Sequence, residues 1–212
     1  MENKAFWAPA GIESPGMKVA VALLFWLGSS SGLVPLQRRR SIPLTRLNAA
    51  SSADFSGEWE MDLKSSDPLG PVLRELGLNR LLAAVVSRLG VRQSIVMGSD
   101  AGDAGPDVVI SVKTALGTDE LDLRADGTAT MLPGLTGSSC PAVSQWLDGR
   151  LETRQSLGDT APVDPEADLF VTIRSLEDGG SSLCESVSIV RRGQPVAGVN
   201  ARRILRRVAA IS

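Results

Sequence analysis

The sequence predicts an all-β fold: an antiparallel meander of ten strands, with two short helices between the first strand and the second. Three observations carry this. From residue 54 onward, short runs alternate apolar and polar residues, and a period of two sends neighbouring side chains to opposite faces of a strand. Turn signals such as "DAGDAGPD", "ADG", "LDG", "EDGG" and "RRG" separate those runs at intervals of roughly 8–14 residues. Helical spacing is confined to one stretch, residues 65–90. Such a meander closes as a barrel or folds as a sandwich.

The elements follow in order. "DFSGEWEMDL" (54–63) reads as the first strand, with Phe55, Trp59, Met61 and Leu63 alternating with polar residues around Gly57. "SSDPLGPVLRELG" (65–77) predicts a helix with Ser66 or Asp67 as N-cap, Pro68 in the first turn and Gly77 as the stop. "LNRLLAAVVSRLG" (78–90) predicts a second helix ending at Gly90, with an apolar stripe of Leu78, Leu81, Leu82, Val85 and Leu89. Nine further strands are expected at 92–98, 107–117, 119–127, 128–132, 142–149, 150–158, 168–180, 182–193 and 195–207. Residues 131–141 and 158–168 read as enlarged loops.

Composition removes several function classes. The 212 residues include no histidine, so no Ser-His-Asp triad, Cys-His dyad or His-ligated zinc site can be built from this chain. Two cysteines, Cys140 and Cys184, are too few for a disulfide framework and read as reduced, mostly buried thiols, with a single disulfide as the alternative. No stretch has calcium-loop spacing. The first fifty residues hold six basic and two acidic side chains; totals of 22 and 24 leave 16 basic and 22 acidic residues after them. An acidic body does not suit nucleic acid, whose binding rests on neutralised phosphates, so the helix pair is not read as a DNA-binding motif.

Those first fifty residues read as a leader. From Met17, a suggested true start, "MKVAVALLFWLGSSSG" has the basic start, short apolar core and small-residue exit of a signal peptide over about 17–32. "LVPLQRRRSIPLTRLNAASS" follows, rich in arginine and hydroxyl residues and free of acids, like a transit peptide over 33–50. This pairing resembles the bipartite leader of proteins imported into secondary plastids of algae, although Leu33 stands where an aromatic is usual. Plastid (chloroplast) stroma is therefore the expected location, secretion the alternative, with the folded domain over 51–212.

One strand with "FSGEW", the helix pair "LRELGLNRLLAAVVSRLG", nine more strands and the closing "NARRILRR" resemble the intracellular fatty-acid-binding proteins of the lipocalin-like (calycin) group. The resemblance spans about residues 54–208 and rests on the order of parts, since G-x-W also occurs in lipocalins. It implies a ten-stranded up-and-down barrel whose two helices lid an internal cavity.

The last strand poses the functional question. Val199, Ala201, Arg203 and Leu205 share one face, so an arginine points where apolar side chains point. In the family resembled, two arginines and a tyrosine hold a ligand carboxylate. Element order places those arginines at Arg174, which shares a face with Phe170, Thr172 and Leu176, and at Arg203; the tyrosine position falls on Leu205, so one donor is missing. A guanidinium fork suits a carboxylate. Two inward arginines need an anion: a ligand head, an internal Asp or Glu, or trapped water. An arginine packed across Trp59, as in lipocalins, is the other structural use. Trp59 and Trp146 read as core, and Cys184 as unreactive.

The expectation is a non-enzymatic, monomeric carrier of a fatty acid or similar hydrophobic anion, with Arg174, Arg203, Leu205, Thr172 and Phe170 around the ligand. No catalytic residue, metal or cofactor is assigned, and the helical lid is expected to touch membranes transiently. The alternatives are a small barrel enzyme, an isomerase or cyclase acting on a lipid or pigment precursor, and an assembly factor with a filled barrel.

Overall fold

A computed structural model describes residues 52–98, 105–115, 117–133, 139–158, 163–164 and 166–209. The leader, residues 1–50, and most of the loop between 158 and 166 lie outside the described residues. Ten strands form one antiparallel sheet: β1 (Gly57–Met61), β2 (Arg92–Met97), β3 (Val108–Thr114), β4 (Gly117–Leu123), β5 (Asp126–Pro133), β6 (Ser139–Leu147), β7 (Arg150–Ser156), β8 (Leu169–Glu177), β9 (Ser182–Arg191) and β10 (Gln194–Arg207). Helices α1 (Gly70–Glu75) and α2 (Arg80–Val86) separate β1 from β2.

The sheet runs in the order β4-β3-β2-β1-β10-β9-β8-β7-β6-β5, so each strand pairs with its sequence neighbour and β1 pairs with β10. This is the predicted barrel. The end strands β4 and β5 touch without a ladder among the described residues. Local sequence sets the tight turns. Asp148 and Gly149 both have positive φ (50° and 72°), as a two-residue hairpin between β6 and β7 requires.

Side-chain alternation fills one part of the interior. Phe55, Trp59, Ile95, Ile110, Leu123, Leu151, Leu183 and Leu205 are fully buried members of one apolar cluster that also holds Trp146. The Trp59 indole donates to the Phe55 carbonyl at 2.9 Å, and Trp146 donates to Pro106 at 3.0 Å. Phe55 and Trp146 lie 5.1 Å apart, centroid to centroid. Gly105 makes room for this packing: at φ 77°, a Cβ there would stand 2.5 Å from the Trp146 ring.

Four sequence expectations change. Ser66 and Asp67 do not cap α1, whose N-cap is Leu69 with a proline in its first turn. They extend the edge of β10 instead: Ile204 N donates to Ser66 Oγ at 2.9 Å and Arg202 N to Asp67 Oδ2 at 2.9 Å. Backbone donors of a strand outcompeted the orphan donors of a six-residue helix. The stripe on α2 is rotated. Ala83 and Val86 face inward, while Leu81 and Val85, one turn apart, are 78% and 53% exposed. A small alanine lets the helix lie close, which ranking residues by size hides. Leu63 is half exposed rather than inside β1. Finally, Met131–Pro133 and Ser139–Pro141 pair within β5 and β6, so that loop shrinks to 134–138, outside the described residues.

A candidate ligand site under the helix pair

Alternation places three charges inside the barrel. Arg174 on β8, Glu185 on β9 and Arg203 on β10 stand side by side in register, Arg174↔Glu185 and Glu185↔Arg203. All three residues are at least 94% buried. Arg174 Nη2 lies 2.8 Å from Glu185 Oε1, and Arg203 Nη1 lies 3.0 Å from Glu185 Oε2. The second contact is an ion pair without hydrogen-bond alignment, because Oε2 accepts no directed bond. A side-chain hydrogen bond from Gln93 on β2 also favours the ionised Glu185 carboxylate. Arg203 Nη2 also points at the Met61 sulfur, 3.7 Å away.

Electrostatics follow from that geometry. Burial alone would push Glu185 up; the Arg174 and Arg203 guanidiniums and the Gln93 bond outweigh it and hold the carboxyl below the usual range. Burial pulls Arg203 down, Glu185 pulls it partly back, and Arg174 pushes it down again. One carboxylate faces two guanidiniums, which leaves one positive charge over. The Nε donors of Arg174 and Arg203 are both buried without a partner.

Above this triad the barrel is not filled. A cavity of about 650 Å3 separates the helices from the strands, lined by Val72, Leu73 and Val86 on the helix side and by Met61, Val91, Phe170, Val187 and Arg203 on the barrel side. That volume is in the range of small-molecule sites. The surrounding apolar cluster joins Leu78 and Ala83 of the helix region to Phe170, Val187, Ile189 and Ala201 of the strands. A void of about 10 Å3, room for one water at most, lies deeper beside Thr172, Phe170 and Arg174.

The site therefore assembles most of the residues marked in the sequence. Arg203 and Phe170 line the cavity, Thr172 and Arg174 lie behind it, and Leu205 packs in the filled cluster, away from the cavity lining. The missed residue is Glu185. Its signal was available: Leu183, Glu185, Val187 and Ile189 share one face of β9, an acid in an apolar row. Trp59 does carry an arginine across its ring, but it is Arg207, 4.6 Å from the centroid. Cys140 and Cys184 are buried and form no disulfide, and burial pushes the Cys184 thiol up, which keeps it protonated.

The comparisons agree on the architecture. Apo lipid binding protein 8 of Caenorhabditis elegans superimposes with TM-score 0.56 at 15% identity, over 75% of this chain and 100% of that one. The chain has the fatty-acid-binding-protein fold. Fatty-acid-binding protein 1 of Echinococcus granulosus matches with TM-score 0.53 at 15% identity, over 73% of this chain and 98% of the other. Human cRBP IV matches with TM-score 0.55 at 18% identity, over 74% and 99%. No family model and no curated sequence matches the chain.

Proposed function

We propose that the protein is a non-enzymatic, monomeric carrier that holds a fatty acid or similar amphiphilic anion under its helix pair. The observation that carries this reading is Arg203, a member of a triad of two cations and one acid, on the barrel side of a cavity whose lining is largely apolar and also includes Asp67, Arg74, Arg80 and Arg88. A carboxylate entering head-first meets the surplus charge, while its chain lies against Phe170, Val187 and the helices. Burying a chain contributes about 0.8 kcal/mol per methylene, and the charged head adds about 1.5–3 kcal/mol. The chain thus dominates affinity, and Arg203 selects the acid.

The names of the structural neighbours support a lipophilic ligand. An isomerase or cyclase needs a group on the cavity wall that exchanges protons near neutrality; Glu185 is held ionised, and Asp119, pushed up to about 6 by burial, does not line the cavity. A cavity of this size also disfavours an assembly factor with a filled barrel. The leader reading places the carrier in the plastid stroma, and the exposed Leu81 and Val85 suit transient contact with a membrane.

Titration of the delipidated protein with a fluorescent fatty acid tests the reading. Saturable binding, weakened about ten- to a hundredfold by Arg203→Ala, is expected. Binding that ignores the substitution would move the head group away from the triad, and no binding would remove the carrier reading.

A further inference from the structure

The cavity under the helices carries more charge than Arg203 gives it. Its lining also includes Arg74 on α1, Arg80 on α2 and Arg88 just beyond α2, and Asp67 is its one acid among the described residues. Four arginines against one aspartate leave this wall with a surplus of three positive charges. The chain after position 50 has the opposite balance, with 16 basic and 22 acidic residues. Arg203 is buried on the barrel side, whereas Arg74, Arg80 and Arg88 are exposed on the helix side, where the cavity meets solvent. The cavity is therefore positive on both of its sides, with apolar side chains between them.

The fold itself does not use the three helix-side charges. None of them forms an ion pair among the described residues. The acids nearest in sequence are committed elsewhere: Glu75 lies 3.3 Å from Arg191, and Asp67 Oδ2 accepts from Arg202 N at 2.9 Å. Arg80 is the first residue of α2, where a cation opposes the helix dipole, and neither helix has an acid in its first turn. Like charges around one space repel each other, and low-dielectric walls focus their joint field on an anion that enters. The exposed Leu81 and Val85 do not line the cavity, so the side chains suited to a membrane are not the ones that carry this charge.

We propose that the ligand is an amphiphile with an anion at each end, of the class of long-chain α,ω-dicarboxylic acids. One carboxylate meets Arg203, the chain lies against Val72, Leu73, Phe170 and Val187, and the second carboxylate meets Arg74, Arg80 and Arg88. This rests on the carrier reading and narrows it. A plain fatty acid leaves its methyl end beside three cations, whereas a diacid places a carboxylate there. Because the three arginines are exposed, the second contact stays hydrated and supplies selectivity more than affinity.

The experiment is competitive displacement of a fluorescent fatty acid by palmitate, hexadecanedioate, laurate and dodecanedioate at neutral pH. It uses the delipidated protein, a triple Arg74→Ser, Arg80→Ser, Arg88→Ser variant and the corresponding triple lysine variant. The quantity read is the ratio of diacid to monoacid affinity at each chain length. The wild-type protein is expected to favour the diacid by about tenfold at one length or both. Lysines should keep that preference, and serines should remove or reverse it. In the wild type alone, raising salt from about 0.01 to about 1 M should bring the ratio towards one, since exposed charges are screened; this measurement holds whether or not the variants fold. A wild-type ratio near one at both lengths, a preference indifferent to salt, or a preference that survives the serines overturns the inference. If the serines weaken binding to anionic vesicles and leave the ratio unchanged, the arginines serve a lipid surface and the inference falls as well. In each of these cases displacement by palmitate leaves the carrier reading intact. Failure of every probe to bind overturns both.

Discussion

Glu185→Gln removes the single acid that two buried guanidiniums share. At 2.8 and 3.0 Å, in a site where all three side chains are under a tenth exposed, each contact has a gross Coulomb attraction of about 6 kcal/mol at an effective dielectric of about 20. Desolvation of the ions offsets most of this in the intact protein. What the substitution exposes is the remainder, two like charges buried without an anion, and breaking such a pair costs about 3–5 kcal/mol. For a barrel of this size, that lowers Tm by roughly 6–20 °C in differential scanning calorimetry. The sign with pH is fixed by the lowered Glu185 value: its contribution is present at neutral pH and fades as pH falls through that value, so wild type and variant converge in acid. A fatty acid should protect the variant more than the wild type, because its carboxylate then faces two guanidiniums with no acid to neutralise them. An unchanged Tm, or equal protection of both proteins, would refute the idea that the triad carries a surplus positive charge open to a ligand anion.

Other perturbations have equally definite outcomes. Asp119→Asn should stabilise the protein by up to about 3 kcal/mol above pH 6 and by nothing below pH 4, because a folded-state value of about 6 makes ionisation costly only as pH rises through that window; urea denaturation at pH 4 and pH 8 measures it. Gly105→Ala sets a Cβ against Trp146 on a left-handed backbone and should cost about 2–4 kcal/mol by the same method. Leu81→Ser, at an exposed position, should leave stability within about 0.5 kcal/mol yet slow fatty-acid transfer to anionic vesicles; an unchanged rate argues against lid contact with membranes. Residues 1–50 fused to a fluorescent protein should carry it into the plastid of an alga with a secondary plastid, and release into the medium would favour secretion.

Much of this was legible by alternation alone. A period of two set all ten strands and turned Arg203 inward, since Ala201, Arg203 and Leu205 read the same way in sequence and in the barrel. The same rule, applied to "SLCESVSIV" and "DELDL", points Glu185 and Asp119 inward as well. An acid on a strand ordinarily marks the wet face, so the residue type at these two positions argues against what the alternation says. Helix detail was less legible, for a physical reason. Helices of six and seven residues have little intrinsic stability, so tertiary contacts decide their start and their inward face. Ser66 and Asp67 bond to β10, and Ala83 rather than Leu81 meets the barrel. The cavity itself has no sequence signal: it is the space left when apolar side chains of the helices and strands stop short of each other.

The most direct test of the account follows the ligand's own carboxyl. Palmitate labelled with 13C at the carboxyl carbon, bound to the protein, should give one resonance that stays ionised well below the pH at which the free acid titrates, since Arg203 faces it. The same resonance should recover ordinary titration in Arg203→Ala. A bound carboxyl that titrates like the free acid in the wild-type protein would place the head group in water, and the triad would then be structural alone.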